Sequence, residues 1–490
     1  AASVRYNKKR RGDFAGQDYY LTYDPEHPEA SSNFRFAQLG AELSAKTPTV
    51  AEHLTLSARL FYDHITTNAG LRLTPLEFRL PMDLNGDGVD EYFPDGRRQR
   101  RLVRESVLGW EIQAVVASLG ANRLIFGYVQ EIHRLLRTAQ WANFDPEVGA
   151  ALDGGYQRAR DFNEPSYARE IVAAYLEDIW EARENLRLTA GVRADHYNDF
   201  GAAVSPRAAL VYRPFTGIYV KALYGHAFRA PTFDELFTRG NPDVIGNPTL
   251  APEQLDSGEL GVIVRARDLL GLGGEHGLLS SVNFKTTGYW TRISDAIEPS
   301  PAVALTGPAR LRNVGAVELR GVETEAGVAL WRSVSLTGNA TYQWAKDADT
   351  GANLVGVPHW LGNVQLFASP LSAVTVGVGA NIVGSRSREA GDNPLGASGV
   401  RLYADRANPL PANVDVWASL STASVPVGPL LLSANLRVEN LLGADLRDPT
   451  PPLRQFGDLT FPGDLPRAGR TMMATLNVDW LPASLAPKSE

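Results

Sequence analysis

Apolar and polar side chains alternate in segment after segment of this chain, and the connections between segments are short and long in turn. Leu186, Leu188, Ala190, Val192 and Ala194 alternate with Arg187, Thr189, Arg193 and Asp195. Leu430, Leu432, Ala434, Leu436 and Val438 alternate in the same way with Ser433, Asn435, Arg437 and Glu439. A period of two sends the two sets to opposite faces of a β-sheet. The polar set carries charges, so its face must be wet, while the apolar face must be covered. A soluble sheet takes its cover from helices or a second sheet, and no helical pattern is left over to supply one. A transmembrane barrel answers the problem with lipid outside and water in the lumen. The expected fold is all-β: one large antiparallel transmembrane β-barrel.

Comparable rows occur at 54–63, 334–344 and 414–421. About 18 to 20 such segments can be counted, many near the ~10 residues that cross a bilayer at a tilt. Tight turns are expected near 120–122, 184–185, 214–217, 331–332, 369–370 and 425–429. Long polar loops are expected near 67–100, 134–166, 230–254, 294–309, 388–410 and 443–468. The two sets alternate, as short periplasmic turns and long extracellular loops do in outer-membrane barrels. A β-propeller would repeat every ~40 to 50 residues, and no such repeat is present. Tyr62, Trp290, Tyr342, Trp344 and Trp480 fall toward the ends of apolar rows, where amphipathic rings suit a membrane interface.

Length would ordinarily suggest several domains, but no linker divides the 490 residues, and one barrel can absorb them as 1–480 with a C-terminal tail at 481–490. With no cysteine there is neither a disulfide framework nor a thiolate metal site. No apolar run approaches the ~18 residues of a transmembrane helix. A net charge of -7 argues against a nucleic-acid partner. The chain starts Ala1, Ala2, Ser3 without an initiator Met or signal peptide. Either a leader has been removed or the sequence is part of something longer.

Residues 225–237, with Phe228, Arg229, Ala230, Pro231 and Thr232 followed by Glu235 and Leu236, resemble the "FRAPT…EL" segment of TonB-dependent outer-membrane receptors. Asn247 to Glu253 is similar to that family's "NPxLxPE", and Glu259, Leu260 and Gly261 to its "ELG". Asn313 and Gly315 with Gly321, Val322 and Glu323 resemble "NxG…GVE"; Val357, Pro358 and His359 resemble "vPxH". Val438 to Leu442, then Pro466 to Arg470, resemble the ending "VxNLxd…PGR". Together these pieces cover about residues 165–480. Pro231, Pro248 and Pro252 would shape a loop, since Pro is excluded from central strands. Gly315 and Gly321 would permit a tight turn or bend.

The resemblance implies a barrel of the receptor type with about 22 strands, a few more than counted, so the first strands are expected to be missing. It also implies a plug domain preceded by a TonB box; neither reads out of this sequence, which starts at once with strand pattern at 2–6. The function implied is active transport across the Gram-negative outer membrane of a scarce ligand. A ferric siderophore or other metal chelate is the leading class, energised by the TonB complex through the plug absent here; cobalamin and oligosaccharides follow. The implied partners are outer-membrane lipid, lipopolysaccharide and a small-molecule ligand, with the protein a monomer. A plugless passive pore and a surface adhesin or phage receptor remain alternatives. The last strand, 472–480, ends in the aromatic Trp480 that the family uses, although the family usually stops there.

One loop carries cation chemistry. Asp83, Asn85 and Asp87 at positions 1, 3 and 5, the Val89 carbonyl at 7 and Glu91 at 9 form D-x-N-x-D-G-x-x-E. Ca²⁺ takes oxygen ligands in this spacing, and a Gly at position 6 allows the sharp turn. Pro94 stands where an EF-hand has its last Glu, so the loop resembles shorter extracellular calcium loops instead; a solvated acidic turn is the competing reading. Two basic runs, Lys8 to Arg11 and Arg97 to Arg101, suit lipopolysaccharide phosphates or an anionic ligand, with a solvated loop base the plainer reading. His133, His196, His226, His276 and His359 show no ligand spacing. No nucleophile elbow, zinc-protease, P-loop or dinucleotide motif occurs, so catalysis is not expected.

Overall fold

The structure, a computed structural model, describes residues 2–12, 33–50, 53–74, 76–159, 167–239, 244–270, 279–299, 309–330, 333–387, 409–449 and 465–480. The turn expected at 331–332, most of the loops at 388–410 and 443–468, His276 and the tail at 481–490 lie outside the described residues.

Eighteen strands of ten or more residues follow one another: Ala2–Gly12, Asn33–Lys46, Leu54–Arg72, Arg98–Leu119, Asn122–Ala142, Ala168–Arg183, Leu186–Tyr197, Gly201–Phe215, Ile218–Arg229, Glu253–Arg265, Leu279–Ser294, Val317–Leu330, Val334–Asp347, Trp360–Leu371, Val374–Val383, Asn413–Thr422, Leu430–Glu439 and Thr471–Trp480. Each pairs antiparallel with its neighbour in sequence, as Leu188 opposite Leu210 and Leu436 opposite Ala474 illustrate. Two three-residue segments, Gln157–Ala159 and Val425–Val427, complete a twenty-stranded sheet. Among the described residues no pairing joins Ala2–Gly12 to Thr471–Trp480.

Registration keeps like with like. Leu60 faces Trp110, Phe126 faces Leu176, Leu176 faces Val192, Leu420 faces Leu436 and Leu432 faces Val478. A one-residue slip would move every member of this set to the polar face, so the pattern fixes the register. The apolar set stays open to its surroundings: Leu60, Leu260, Leu336 and Leu476 are 48%, 60%, 46% and 68% exposed. A soluble protein does not leave a continuous surface of this kind bare. Tyr342 packs on Trp344 and Trp360, centroids 4.4 and 4.3 Å away, at one margin of that face.

On the polar face, large rings lie over glycines of the next strand. An added Cβ at Gly127, Gly109, Gly321 or Gly379 would strike Tyr175, Phe61, Tyr289 or Trp417. Gly321 therefore serves close packing rather than the bend expected of it, whereas Gly315 has φ +90° and makes the turn.

Short and long connections alternate except at 198–200 and 266–278, with Gly120 and Gly217 at positive φ in two of the tight turns. Four expectations need correction. Strands run further into the long-loop end than the sequence pattern suggested: Leu54–Arg72 and Arg98–Leu119 leave only 73–97 as loop, and Asn122–Ala142 reaches well past 134. Of the basic runs at 8–11 and 97–101, all but Arg97 are thus strand, not loop. The turn placed at 369–370 falls at 372–373, because Pro370 sits at a register shift between Ala368 and Leu371. Pro206 lies inside Gly201–Phe215 opposite Val192, tolerated because the pairing with the following strand starts only at Arg207. Finally, two five-residue helices, Phe233–Phe237 and Ala266–Leu270, occupy connections.

Candidate functional site

The polar face and the long connections at one end of the sheet form the candidate site. On the face, Arg59 stands 4.0 Å from Glu42 and 3.7 Å from Glu111, with its guanidinium 4.5 Å from the Phe61 ring centroid. Tyr175 Oη donates to Glu111 Oε1 and accepts from Gln113 Nε2, both at 2.9 Å. His133 Nε2 lies 2.7 Å from Glu131 Oε2, and Arg193 forks onto Asp195 through Nε and Nη2 at 3.0 and 2.8 Å. Acceptors and donors of both charges therefore line one wall, held by strands that cannot shift independently.

The connection after Ile218–Arg229 is braced from several sides. Arg229 Nη1 and Nη2 donate to the two carboxylate oxygens of Glu235 at 2.9 and 3.0 Å, and its Nε donates to Glu253 at 2.5 Å. Thr232 caps the helix Phe233–Phe237: its Oγ1 accepts from Glu235 N and Glu235 Oε2 accepts from Thr232 N. Two otherwise orphaned N–H groups are satisfied this way. Arg169, nearly buried, donates to Asp199 Oδ2 at 2.7 Å and to the Pro231 carbonyl at 2.8 Å, with Phe233 5.1 Å from its guanidinium. Asn313 donates to the carbonyls of Ala251 and Asp295 and accepts from Ala251 N, each at 2.8 Å. Asn247 donates to the Leu311 carbonyl at 3.0 Å.

The motif residues read from sequence at 229–235, 247–253 and 313–315 thus meet in one brace, and their role is architectural. Pro231, Pro248 and Pro252 lie in the connection as expected. Arg169 was missed, since its partners lie 30 and 62 residues away. The two motif glutamates that follow Arg229, 6 and 24 residues on, were the available signal for its double clamp.

A second brace closes the far side. Arg386 donates to Asp448 Oδ1 at 2.5 Å and to the Arg447 carbonyl at 2.6 Å, and Arg467 forks onto Asp448 at 2.9 Å through each nitrogen. Arg467, and behind it Arg386, holds the Asp448 carboxyl below the usual carboxylate range against a partial burial that opposes the shift.

The 73–97 connection contains the acidic segment 83–91. Asp83 Oδ1 accepts from Gly86 N at 2.6 Å and Asp87 N at 3.2 Å, and its Oδ2 accepts from Gly88 N at 2.8 Å. These backbone donors, Gly88 first, lower the Asp83 carboxyl below its ordinary value. Asn85 Oδ1 accepts from Asp87 N, and Asp87 Oδ1 from Val89 N, at 2.9 and 2.8 Å. Glu91 is buried beneath the turn, where it accepts from Leu84 N at 3.2 Å and from Ala151 N, in the next long connection, at 2.7 Å. Among the described residues no three acidic or histidine side chains stand ready around one metal position. Asp83, Asn85, Asp87 and Val89 share the turn, while Glu91 ties it to its neighbour. Below it, Leu71, Leu73, Phe93, Ala142 and Phe144 make a small buried core. Arg97 lies 4.4 Å over Phe144, and burial pushes its guanidinium down to about 10 against the opposing pull of Glu91.

The family model described as "TonB dependent receptor-like, beta-barrel" matches residues 2–441. The vitamin B12 transporter BtuB of Photobacterium profundum is 30% identical over 229 residues, 44% of this chain and 34% of that protein. The ferric enterobactin receptor PirA of Pseudomonas aeruginosa is 30% identical over 225 residues, 41% of this chain and 28% of that protein. Among solved structures, the copper transporter OprC superposes with a TM-score of 0.65 at 16% identity, covering 92% of this chain and 66% of its own. The unliganded ferric citrate transporter FecA gives 0.62 at 14% identity, covering 91% and 62%. At those identities the likeness speaks for the fold. The alignments span about a third of the two sequence relatives and under two thirds of FecA. With a family match over most of its length and a sheet that superposes on receptor barrels, the chain belongs to the β-barrel family of TonB-dependent receptors, proteins of the Gram-negative outer membrane.

Proposed function

We propose that this barrel serves active uptake of a scarce ligand, a ferric siderophore or another metal chelate, energised through TonB by way of a plug domain. The observation that carries the reading is the braced mouth. Arg229, Glu235, Glu253, Arg169 and Asn313 hold the long connections in fixed relation to a polar wall of mixed charge. A preordered rim of this kind lowers the ordering cost of capturing a dilute solute. The relatives are named for vitamin B12, ferric enterobactin, ferric citrate and copper, which supports the class without fixing the member. The test is uptake of radioactive iron presented as the host's own siderophore. Disrupting the gene should abolish it, and collapsing the proton-motive force should stop it in wild-type cells. Uptake that survives both treatments would sink the reading.

A calcium ion in the 83–91 turn is a separate proposal. Each carboxylate oxygen has two lone-pair sites, so Asp83 Oδ2 and both Asp87 oxygens keep capacity beyond their N–H bonds. Extracellular modules of this type bind with constants of about 10⁻⁴ to 10⁻³ M. EGTA should speed proteolysis near residue 90, and Asp83→Ala with Asp87→Ala should be cut fast with or without calcium. An unchanged wild-type cleavage rate up to millimolar calcium would leave only an acidic turn.

A further inference from the structure

Near the short-turn end, the apolar face carries a carboxylate. Asp178 faces Leu124 in the same pairing that sets Leu176 opposite Phe126, so it stands on the side of Leu176 and Val192. Asp178, Ala190, Ala208 and Tyr224 lie in one straight row across four strands, Asp178 opposite Ala190, Ala190 opposite Ala208 and Ala208 opposite Tyr224. The next row toward the short turns reads Trp180, Leu188, Leu210 and Ala222. Two methyl side chains thus form a floor between larger neighbours, and a hollow of about 470 Å³ opens there. The backbones of Asp178 and Tyr224 stand about 14 Å apart at ~4.8 Å per strand, which leaves room for an acyl chain between the two walls.

The polar wall of this trough is incompletely satisfied. Asn122 Nδ2 donates to Asp178 Oδ2 at 2.5 Å, while Oδ1 is enclosed and has no hydrogen-bond partner. Among the described residues Asp178 forms no ion pair. Tyr224, on the opposite wall, donates its hydroxyl to Asp256 at 2.8 Å. A carboxylate offers about four acceptor sites, so one amide leaves most of them open. On a soluble surface water would fill them; on a lipid-facing one, an ionisable side chain marks a partner that supplies the missing donors. Position narrows the class. Asn122 is the first residue of its strand after the 120–121 turn, and Trp180 stands one row nearer the turns than Asp178, where indole rings suit a membrane interface. Headgroups of the periplasmic leaflet lie at that level, with their chains running inward along the alanine floor.

We propose that Asp178 and the alanine trough bind one glycerophospholipid with a primary-ammonium headgroup, the ammonium on the Asp178 carboxylate and an acyl chain over Ala190 and Ala208. A primary ammonium brings three N–H donors as well as a charge, and a charge-assisted hydrogen bond is roughly twice as strong as a neutral one. A quaternary ammonium brings the charge without the donors. The proposal rests on the apolar face meeting lipid, which the tolerance of Leu436→Arg reports independently. The natively purified protein, delipidated in detergent, is titrated with phosphatidylethanolamine and phosphatidylcholine of the same acyl chains, and bound lipid is counted by native mass spectrometry. Wild type should hold the ethanolamine lipid about tenfold more tightly, and Asp178→Asn should bring the two within about twofold of each other. Ala208→Phe, which fills the floor and keeps the carboxylate, should weaken both lipids. Heat-modifiable gel mobility reports whether the barrel has formed; should Asp178→Asn fail to fold, the wild-type headgroup ratio and Ala208→Phe decide. Equal affinity for the two headgroups in wild type, or an unchanged preference in Asp178→Asn, would overturn the assignment. So would a wild-type dimer that Asp178→Asn dissolves, which would place a second copy of the chain on the trough.

Discussion

Gly127 is paired with Gln113 on one side and Tyr175 on the other, and the Tyr175 ring crosses it to reach Gln113 and Glu111. An added Cβ would fall 1.9 Å from Tyr175 Cζ, so Gly127→Ala must push the ring away and break both hydrogen bonds. We expect a loss of about 1–3 kcal/mol in urea unfolding, largely relieved in the Tyr175→Ala background, while Gly288→Ala on the open face should be nearly neutral. Equal losses at the two glycines would remove ring packing as the cause. The Asp448 brace predicts an acid limit. Its carboxyl is depressed in the folded state, so its contribution is complete above the ordinary aspartate value near ~4 and is lost as pH falls below it. Exchange of the Arg386 amide, bonded to the Leu410 carbonyl at 3.0 Å, measured relative to its intrinsic rate at each pH, should accelerate below about pH 4 in wild type. In Asp448→Asn it should already be fast at neutral pH; a wild-type profile in that variant would clear Asp448 of the role.

At the scale of the strand, period two was legible because it depends on which face a residue occupies and not on how long the strand is. Strand ends were not legible. Past the bilayer the ladder continues with charged side chains, as at Arg98 to Arg104, whose composition resembles a loop. Pro370 misled for a related reason: Ser-Pro ordinarily marks a turn, but here the ring sits at a pairing irregularity. The braces were half legible. Motif spacing pointed to 229–253, whereas Arg169 and Arg386 find partners far along the chain that no local pattern announces. The face assignment itself can be tested. Leu188→Arg and Leu436→Arg, on the apolar rows, should cost about 2–4 kcal/mol near the midplane, while Thr189→Arg and Asn435→Arg on the wet face should be mild. Equal tolerance on the two faces would contradict a lipid-facing surface.

For the whole molecule, the asymmetry of the connections sets an orientation. The turns at 120–121, 184–185, 216–217 and 372–373 stand at one end, and 73–97, 143–167, 230–252 and 348–359 at the other. The pattern has two exceptions: Tyr197 and Gly201 are joined by only three residues at the long end, and 266–278 with its helix Ala266–Leu270 lengthens the short end. Neither changes the parity of the strands, because each strand still reverses its predecessor. Any one site of known sidedness therefore fixes all the others. Outer-membrane barrels place short turns in the periplasm and long loops outside, which predicts that the Arg229 brace and the acidic turn face the medium. The chain contains no cysteine, so single introductions give an unambiguous readout. Val148→Cys, at a loop position 55% exposed, should react in intact cells with a membrane-impermeant maleimide. Ala121→Cys should react only after the outer membrane is breached. Labelling of position 121 in intact cells would invert the assignment, and with it the placement of the ligand mouth.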